Sequence, residues 1–311
     1  MYDTTKPYTQ NILDLVKETW ETPYCSLDDF VLCKKFSFDQ EYGHTDGIGE
    51  KGIYHWKQRS FKEAIIDALA MNYNDLLLLR ARPYAVIDHL MIPEDDHDAV
   101  KDLIRYLTFE CKKRDVAIIG GETAIHNSMQ GLEISLTMLG FIEKPKINQF
   151  QIGDILLGIE SSGLHSNGFT KVIELFGDEY RKEFIEPTNI YLDDVLNLDR
   201  DFDIHGMMHI TGGSFTKLRS LLHDSNVFIY RDHGLEPQNI FFEIYNRNVS
   251  DEEMYKTFNC GIGFVLSVNE QDCDDIISRI TDFKVDIIGE VLPGNEDVMI
   301  ESKFSNGNVV L

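Results

Sequence analysis

The sequence predicts an α+β protein built from two mixed α/β layered domains. Three observations support this fold class. Predicted strands and helices mix without the strict alternation of a doubly wound sheet. The 311 residues are enough for two domains. A polar segment without periodicity, residues 143–153, interrupts the pattern near the middle of the chain. We place the boundary there, which gives domains over residues 1–143 and 144–311.

The first half supplies its elements in a regular order. Apolar residues at helical spacing predict helices at residues 8–19, 61–79 and 96–114. Enrichment in β-branched and aromatic residues predicts strands at residues 30–38, 84–91, 116–119 and 132–142. The polar stretch 39–52 predicts a loop, and we expect the pair Gly120-Gly121 to end the short strand before it.

The second half opens with a predicted strand that leads through a loop rich in serine and glycine into a helix. Its expected strands lie at residues 155–159, 261–268 and 287–291. Its expected helices lie at residues 169–176, 214–223 and about 272–280.

The charge of the chain argues against polyanionic partners. There are 29 Lys+Arg against 53 Asp+Glu, so the formal net charge is −24. Phosphates of nucleic acids and of anionic membranes repel such a protein, and we expect neither partner. A small anionic substrate is compatible with this charge, because local backbone donors can outweigh a distant net charge.

The cysteine pattern and the N-terminus predict a cytoplasmic location. Five widely spaced cysteines without a CxxC pair favour a reducing compartment over a disulfide framework or a zinc site. The first residues, MYDTTKPYTQ, lack a basic segment followed by an apolar one. No apolar stretch approaches the roughly 20 residues that span a bilayer, so we expect no membrane segment.

Polar residues beside glycines indicate a cation site in the first half. Asp46 precedes residues 47–52 (GIGEKG), which match a dinucleotide-binding fingerprint in their spacing. No buried strand is predicted before this match, so we interpret it as a loop that carries a carboxylate beside flexible backbone. The alternative is a plain surface turn.

Two further groups strengthen the same expectation. Asn74 and Asp75 lie within an apolar stretch, where they must be paired, capped or metal-bound, although a helix-ending Asx turn explains them equally well. Glu122 follows a glycine pair at an expected strand end, which suits a metal ligand. We expect the following carboxylates and amides to cluster: Asp46, Asp67, Asn74, Asp75 and Glu122.

The second half contains two loops suited to anions. Residues 161–168 (SSGLHSNG) have the glycine spacing of a P-loop but lack the Lys-Ser/Thr that follows it. Between a strand and a helix, this loop would present N–H groups and hydroxyls to a phosphate, and it exceeds what one N-cap needs. Residues 211–213 (TGG) predict a second such turn. His205 and His209, four residues apart, are only a weak zinc pattern.

Acidic groups in one half and phosphate-binding loops in the other predict Mg²⁺–nucleotide chemistry across a domain or subunit cleft. Taken alone, the residues give phosphoryl transfer as a reaction class, without a substrate.

Seven strings stand out along the chain: DGIGEK at 46–51, AMNYND at 70–75, GGETA at 120–124, SSGLHSNG at 161–168, EPTNIY at 186–191, HITGG at 209–213 and MYKTFNCGIGFV at 254–265. In kind and in order, they resemble the signatures of the aminoimidazole ribonucleotide synthetase (phosphoribosylformylglycinamidine cyclo-ligase) family. The resemblance implies a homodimer, an N-terminal domain that binds ATP and dimerises through its sheet, and a C-terminal domain that binds substrate. The apolar strands predicted at 31–38 and 132–142 favour the same pairing.

The resemblance also implies ATP and Mg²⁺ as cofactors, a small ribonucleotide as substrate, and roles for individual residues. The implied Mg²⁺ ligands are Asp46, Asp67, Asp75 and Glu122. The implied ATP site adds Lys51, Asn74, Gly120, Gly121 and Thr123. The implied substrate residues are Ser162, Gly163, His165, Ser166, Asn167, Gly168, His209, Thr211, Gly212, Asn259 and Gly261. The expected catalytic residues are Asp46, Asp75 and His165.

Enzymes of this family use ATP to phosphorylate the amide oxygen of formylglycinamidine ribonucleotide, in purine biosynthesis. An amidine nitrogen then closes the imidazole ring as phosphate leaves. Two alternatives stay open at this point. One is a related superfamily enzyme with another acceptor, such as a thiamine-phosphate kinase, a selenide dikinase or a formylglycinamidine synthase-like protein. The other is a non-catalytic homologue with a degraded ATP site.

Departures from the family pattern fall mostly on the ATP-binding half. Glu50 stands where the family has Thr, and a carboxylate there repels a triphosphate unless a metal intervenes. Arg80 and Arg82 fall in the family's Gly-Ala-Glu-Pro segment, and we expect them to compensate with positive charge. After GGETA, the chain continues with IHNS instead of the family's Glu-Met-Pro-Gly.

Overall fold

The computed structural model describes residues 9–311. The chain divides into two compact units after Pro145, within the polar segment 143–153. Within the described residues, no helix is both long and apolar enough to cross a membrane.

Over residues 9–145, the N-terminal unit combines four helices with six strands. Its helices are α1 (Thr9–Lys17), α2 (Lys51–Gln58), α3 (Phe61–Leu77) and α4 (His97–Lys113). Its strands are β1 (Cys25–Asp28), β2 (Val31–Lys34), β3 (Glu41–Gly47), β4 (Ala81–Ile92), β5 (Ala117–Ile125) and β6 (Glu133–Ile142).

Four of these strands form a mixed sheet in the order β3-β6-β4-β5, in which only β4 and β5 are parallel. Helices α3 and α4 pack on one face of the sheet. One row of paired residues crosses all four strands: Asp46, Leu136, Asp88 and Gly121. Because Leu136 and Asp88 are buried, this row lies on the face that the helices cover. The sheet therefore presents Asp46 towards α3.

Strands β1 and β2 form a separate antiparallel hairpin. Its residues Leu27 and Leu32 pack on a small aromatic core that includes Tyr84 and Phe141. This hairpin corrects the strand predicted at 30–38: β2 ends four residues early, at Lys34, and pairs with the unpredicted strand β1. The predicted loop 39–52 is also wrong, because it contains all of β3 and the start of α2.

The C-terminal unit is built on a seven-stranded sheet in the order β13-β12-β9-β11-β7-β10-β8. Its strands are β7 (Ile155–Glu160), β8 (Gly206–His209), β9 (Ser225–Ile229), β10 (Ile262–Val268), β11 (Val285–Pro293), β12 (Val298–Glu301) and β13 (Asn308–Val310). Its α-helices are α5 (Phe169–Phe176), α6 (Leu192–Asp201), α7 (Asn239–Tyr245), α8 (Asp251–Thr257) and α9 (Cys273–Arg279). Only β9 and β12 pair in parallel.

The centre of this sheet positions the second candidate region. Every residue of β10 is buried, and β10 pairs with β7 on one side and β8 on the other. The loop after β7 and the loop after β8 therefore leave the two strands that flank β10 in one sheet. The helix predicted at 214–223 is a 3₁₀ helix over Ser214–Leu221.

The mixed α/β layers confirm the predicted fold class. The part of the dimerisation argument that rests on the strand predicted at 132–142 is wrong, because β6 is an interior strand with β3 and β4 on its two sides. Its backbone groups are already paired within the sheet, so β6 offers no free edge.

Candidate functional site

The imidazole of His44 and the carboxylates of Asp46 and Asp75 form a compact group of possible cation ligands. One ligand atom from each side chain lies within 4.8 Å of the others, and all three side chains are partly exposed. His44 Nε2 is 3.5 Å from Asp75 Oδ2, and it has no hydrogen-bond partner among the described residues. Two carboxylates and one imidazole facing a common point suit a divalent cation. The residues present therefore fit a divalent metal ion.

Helix α3 contacts residues 44–51 at three positions along its length. His44 faces Asp75 near the C-terminal end of α3. About one turn earlier in the helix, Asn72 Nδ2 donates to the main-chain oxygen of Asp46 at 3.1 Å. Near the middle of α3, Asp67 accepts a hydrogen bond from Lys51 Nζ at 2.9 Å. The strand and the turn that follows it are thereby fixed along the helix.

The structure does not bring Asp67 and Lys51 to an open site, which corrects the prediction of Asp67 as a cation ligand and of Lys51 as part of the ATP site. Both side chains are fully buried. Asp67 Oδ2 is 2.8 Å from Lys51 Nζ and 2.8 Å from His55 Nε2. Burial alone would raise the pKa of Asp67, but the charge of Lys51 and the hydrogen bond from His55 outweigh it and hold the pKa well below its usual range. The carboxylate is therefore an anionic anchor between α2 and α3.

Glu122, predicted as a cation ligand, does not join the group either. Strand β5 continues through Gly120 and Gly121, so Glu122 lies inside the strand and pairs in register with His89. Both side chains are exposed, on the face opposite to Asp88 and the helices. Glu122 was expected just beyond the end of this strand, because Gly120 and Gly121 were taken to end β5.

The glycine pair and Thr123 have different surroundings from those predicted. A Cβ on Gly121 would lie 2.1 Å from Asp88 Oδ1, so the glycine makes room for a buried carboxylate of the same protein. Gly120 has open space on its Cβ side. Thr123 Oγ1 is buried without a hydrogen-bond partner among residues 9–311. Of this stretch, Gly120 is the position with room for a ligand.

Arg80 and Arg82 do not compensate for Glu50 within this unit. Arg82 and Asp88 are six residues apart on β4, which separates them by about 20 Å at roughly 3.3 Å per residue. Asp88 lies in the same row of paired residues across the sheet as Asp46, so Arg82 is far from Asp46 as well. Arg82 instead lies 3.5 Å from Glu143. Arg80 is buried just before β4 begins. Glu50 is exposed at the N-terminus of α2.

In the C-terminal unit, Asn259 organises the loop 161–168. Its side chain accepts from Ser161 Oγ at 2.8 Å and from the Gly261 main-chain nitrogen at 3.0 Å. It also donates to the Gly163 main-chain oxygen at 2.7 Å. Asn259 is itself buried. We therefore assign Asn259 and Gly261 to the support of the loop, which corrects the expectation that they meet substrate directly.

His165 and His209 are also fully buried. His165 Nε2 accepts a hydrogen bond from the Ser162 main-chain nitrogen at 3.3 Å, and the His165 ring lies 6.4 Å from that of His209. A Cβ on Gly263 of β10 would lie 2.7 Å from His165 Cε1, so the imidazole packs directly on the sheet. These contacts indicate that His165 shapes the loop. Its burial argues against a direct role in the chemistry.

The accessible part of this region is formed by both loops. Ser162, Ser166, Asn167 and Gly168 are partly exposed, and Gly212 is exposed. Asn167 Oδ1 would lie 3.6 Å from a Cβ on Gly212, which brings the two loops together. Asn167 Nδ2 is buried without a hydrogen-bond partner among the described residues. The surface therefore combines an amide, hydroxyls and glycine backbone at the start of α5.

Two residues of these regions escaped the sequence analysis. His44 lies two positions before Asp46, on the same face of β3, and recognising β3 as a strand would have revealed it. Lys217 Nζ donates to Thr211 Oγ1 at 2.8 Å and places a cation beside the second loop. No sequence pattern predicts that the side chain of Lys217 contacts that of Thr211.

Comparison with known proteins agrees with the fold. The family model "AIR synthase related protein, N-terminal domain" matches residues 41–142, and the corresponding C-terminal domain matches residues 151–301. Solved structures with the same fold include the hydrogenase maturation protein HypE in complex with ATP (TM-score 0.68, 15% identity, covering 98% of this chain and 94% of that one). Another is thiamine-monophosphate kinase from Stenotrophomonas maltophilia K279a (TM-score 0.67, 17% identity, covering 97% and 98%).

Curated relatives are closer in sequence. A phosphoribosylformylglycinamidine cyclo-ligase from Saccharolobus solfataricus is 37% identical over 261 residues, covering 81% of this chain and 79% of that protein. One from Methanobrevibacter smithii is 35% identical over 287 residues, covering 86% and 83%. Both domain models and these relatives extend over most of the chain, and the protein therefore belongs to the AIR synthase related family.

Proposed function

We propose that this protein is a phosphoribosylformylglycinamidine cyclo-ligase, which uses ATP to convert formylglycinamidine ribonucleotide into aminoimidazole ribonucleotide. The observation that carries the proposal is the identity of 33–37% to three relatives of that name, over 81–86% of the chain. The described geometry supports it with a group of possible cation ligands in one unit and, in the other, a surface of amide, hydroxyl and glycine backbone donors.

The N-terminal unit would hold ATP and its divalent cation, for which Mg²⁺ is the expected ion. His44, Asp46 and Asp75 would bind the cation, which supplies charge neutralisation for the phosphates when it is bound. Asn72 and the buried Lys51–Asp67 pair keep the strand and turn in place, so little reorganisation is needed on binding. The fold of HypE, solved with ATP, supports nucleotide binding by this architecture.

The C-terminal unit would bind the ribonucleotide. Ser166, Asn167 and Gly212 offer donors at the N-terminus of α5, and Lys217 adds a positive charge nearby. A phosphate or amidine group at this surface would give the buried Asn167 Nδ2 the partner that the described residues do not supply.

The reaction needs positioning more than acid–base catalysis. An amide oxygen is a poor leaving group, and transfer of the γ-phosphoryl group of ATP to it creates a good one. Attack by the amidine nitrogen then forms the C–N bond of the imidazole, and the C–O bond breaks as phosphate leaves. The role left to the protein is to align the groups and to balance the charge of the phosphates.

Phosphate release tests the proposal. The purified protein is given ATP and formylglycinamidine ribonucleotide, each alone and both together, and we expect release only with both. Release with ATP and a different acceptor alone would replace the proposal with a kinase of another substrate. Absence of both ATP binding and release would contradict catalysis by this chain.

We also propose a homodimer in the cytoplasm. The exposed outer edge of β3 supports the homodimer, because it could pair with a second chain. The five free cysteines support a reducing compartment such as the cytoplasm. Sedimentation at micromolar concentration should give twice the chain mass of 35.8 kDa. A mass of one chain would contradict the dimer.

A further inference from the structure

We propose that His44 is a direct cation ligand, and that it makes the site prefer a first-row transition ion such as Mn²⁺ over Mg²⁺. The proposal rests on the proposed function for what the cation does, but it concerns this chain's own ligands. Neither the motif strings nor the predicted cation ligands include His44. Its imidazole is the one nitrogen donor in the group with Asp46 and Asp75.

The position of the imidazole supports ligation. His44 Nε2 is buried and has no hydrogen-bond partner within residues 9–311, which is unusual for a buried polar atom. Asp75 Oδ2 lies 3.5 Å from this nitrogen, which is long for a hydrogen bond. A cation shared with Asp46 and Asp75 would satisfy this nitrogen.

The main chain keeps the donors together. His44 and Asp46 point to the same face of β3, because side chains alternate along a strand. Asp46 Oδ1 accepts from the Gly47 main-chain nitrogen at 2.7 Å, which orients the carboxylate, and Asn72 holds the main chain of the same residue. The imidazole and one carboxylate are therefore presented by a rigid strand and the second carboxylate by a packed helix.

The donor set determines the preferred ion. Mg²⁺ strongly prefers oxygen ligands in octahedral geometry and keeps several waters. An imidazole nitrogen suits the first-row transition ions, and Mn²⁺ among them also accepts carboxylates well. A site with one imidazole and two carboxylates should therefore bind Mn²⁺ more tightly than Mg²⁺, and Mn²⁺ should support turnover at lower concentration.

The experiment measures Mn²⁺ binding to the full chain without ATP or ribonucleotide, by the electron paramagnetic resonance signal of free Mn²⁺, with Mg²⁺ as competitor. We expect Mg²⁺ to displace Mn²⁺ only in large excess. Pulsed measurements on the bound ion should show coupling to a directly bound ¹⁴N nucleus. His44→Asn should abolish that coupling and weaken Mn²⁺ binding roughly tenfold or more, with a smaller effect on Mg²⁺.

His89→Asn is the matched control, since His89 is exposed on the opposite face of the same sheet, and it should change neither measurement. Bound Mn²⁺ without ¹⁴N coupling in the unmodified protein would overturn the proposal, as would an unchanged Mn²⁺-to-Mg²⁺ affinity ratio in His44→Asn. The first result needs no variant and so does not depend on folding of the substituted chain. Because no substrate is present, failure here leaves the phosphate-release test of the proposed function independent.

Discussion

Lys51 Nζ lies 2.9 Å from Oδ1 and 2.8 Å from Oδ2 of Asp67, and both side chains are fully buried. His55 completes the network, with Nε2 at 2.8 Å from Asp67 Oδ2 and Nδ1 at 2.8 Å from Ser60 Oγ. Two opposite charges in the interior depend on each other, because removal of one leaves the other unpaired. This pair therefore joins the turn after Asp46 to helix α3.

Lys51→Met should destabilise the protein by about 3–5 kcal/mol, because it leaves the Asp67 carboxylate buried without its cation. Urea unfolding measures the effect. Lys112→Met is the control, since Lys112 forms an exposed pair with Glu18 at 2.7 Å and should change stability by less than about 1 kcal/mol. Equal losses of unfolding free energy in both variants would show that burial of the Lys51–Asp67 pair does not increase its contribution to stability.

His233 should make stability fall on mild acidification. Burial, helped by the charge of Lys303, lowers the pKa of His233 to about 4. The unfolded chain has a pKa of about 6.5, so it takes up the proton first. The contribution is therefore complete above pH 6.5 and is lost as the pH falls towards 4.

Urea unfolding between pH 7.5 and 4.5 tests this dependence. His233→Gln should flatten the curve over that range relative to the unmodified protein. His223→Gln, at a position where the side chain is 71% exposed, should leave its slope unchanged. A slope that is the same in all three proteins would contradict the assignment.

Asp75→Asn should lower turnover by orders of magnitude with little loss of stability. The substitution keeps the shape of the side chain and removes one negative charge from the group with His44 and Asp46. Phosphate release and thermal unfolding are measured side by side. Asp28→Asn, at an exposed position of the β1–β2 hairpin, is the control and should leave turnover intact. Unchanged turnover in Asp75→Asn would instead support the alternative that Asn74 and Asp75 form a structural Asx turn.

Asn167→Ala should raise the KM for the ribonucleotide without affecting that for ATP. Loss of one hydrogen bond to a charged group costs about 1.5–3 kcal/mol, or roughly 10- to 150-fold in binding. Thermal unfolding should change little, because Asn167 Nδ2 has no partner among the described residues to lose. An equal rise in both KM values would place the nucleotide at this loop.

His165→Asn should act through the shape of the loop. The variant removes the acceptor for the Ser162 main-chain nitrogen, while Asn tolerates the positive φ of 58° at this position. We expect a higher KM for the ribonucleotide together with about 1–3 kcal/mol less stability. A fall in kcat alone, with KM and stability unchanged, would instead give His165 a direct chemical role.

The fold was predictable wherever a strong period marked an element. Helix α5 falls on its predicted bounds, and α3 and α4 differ from theirs by one or two residues. Strand β3 was missed because its sequence, EYGHTDG, is polar and largely exposed at the edge of a sheet. Edge strands bury too few side chains to show an alternating pattern.

The candidate sites were predictable only in part. Asp46 and Asp75 meet as expected, although they are 29 positions apart in the chain. Asp67 and Glu122 have the same chemistry, but one is neutralised by Lys51 and the other lies on the far face of the sheet. Burial and side-chain direction separate these four carboxylates, and neither property can be obtained from a motif string.

In the proposed reaction, ATP activates the amide oxygen of the ribonucleotide. Formylglycinamidine ribonucleotide labelled with ¹⁸O at that oxygen tests it directly, by mass analysis of the phosphate released in a single turnover. Each phosphate should carry one ¹⁸O atom from the substrate, because the C–O bond breaks after phosphorylation. Release of unlabelled phosphate alongside the cyclised product would contradict it.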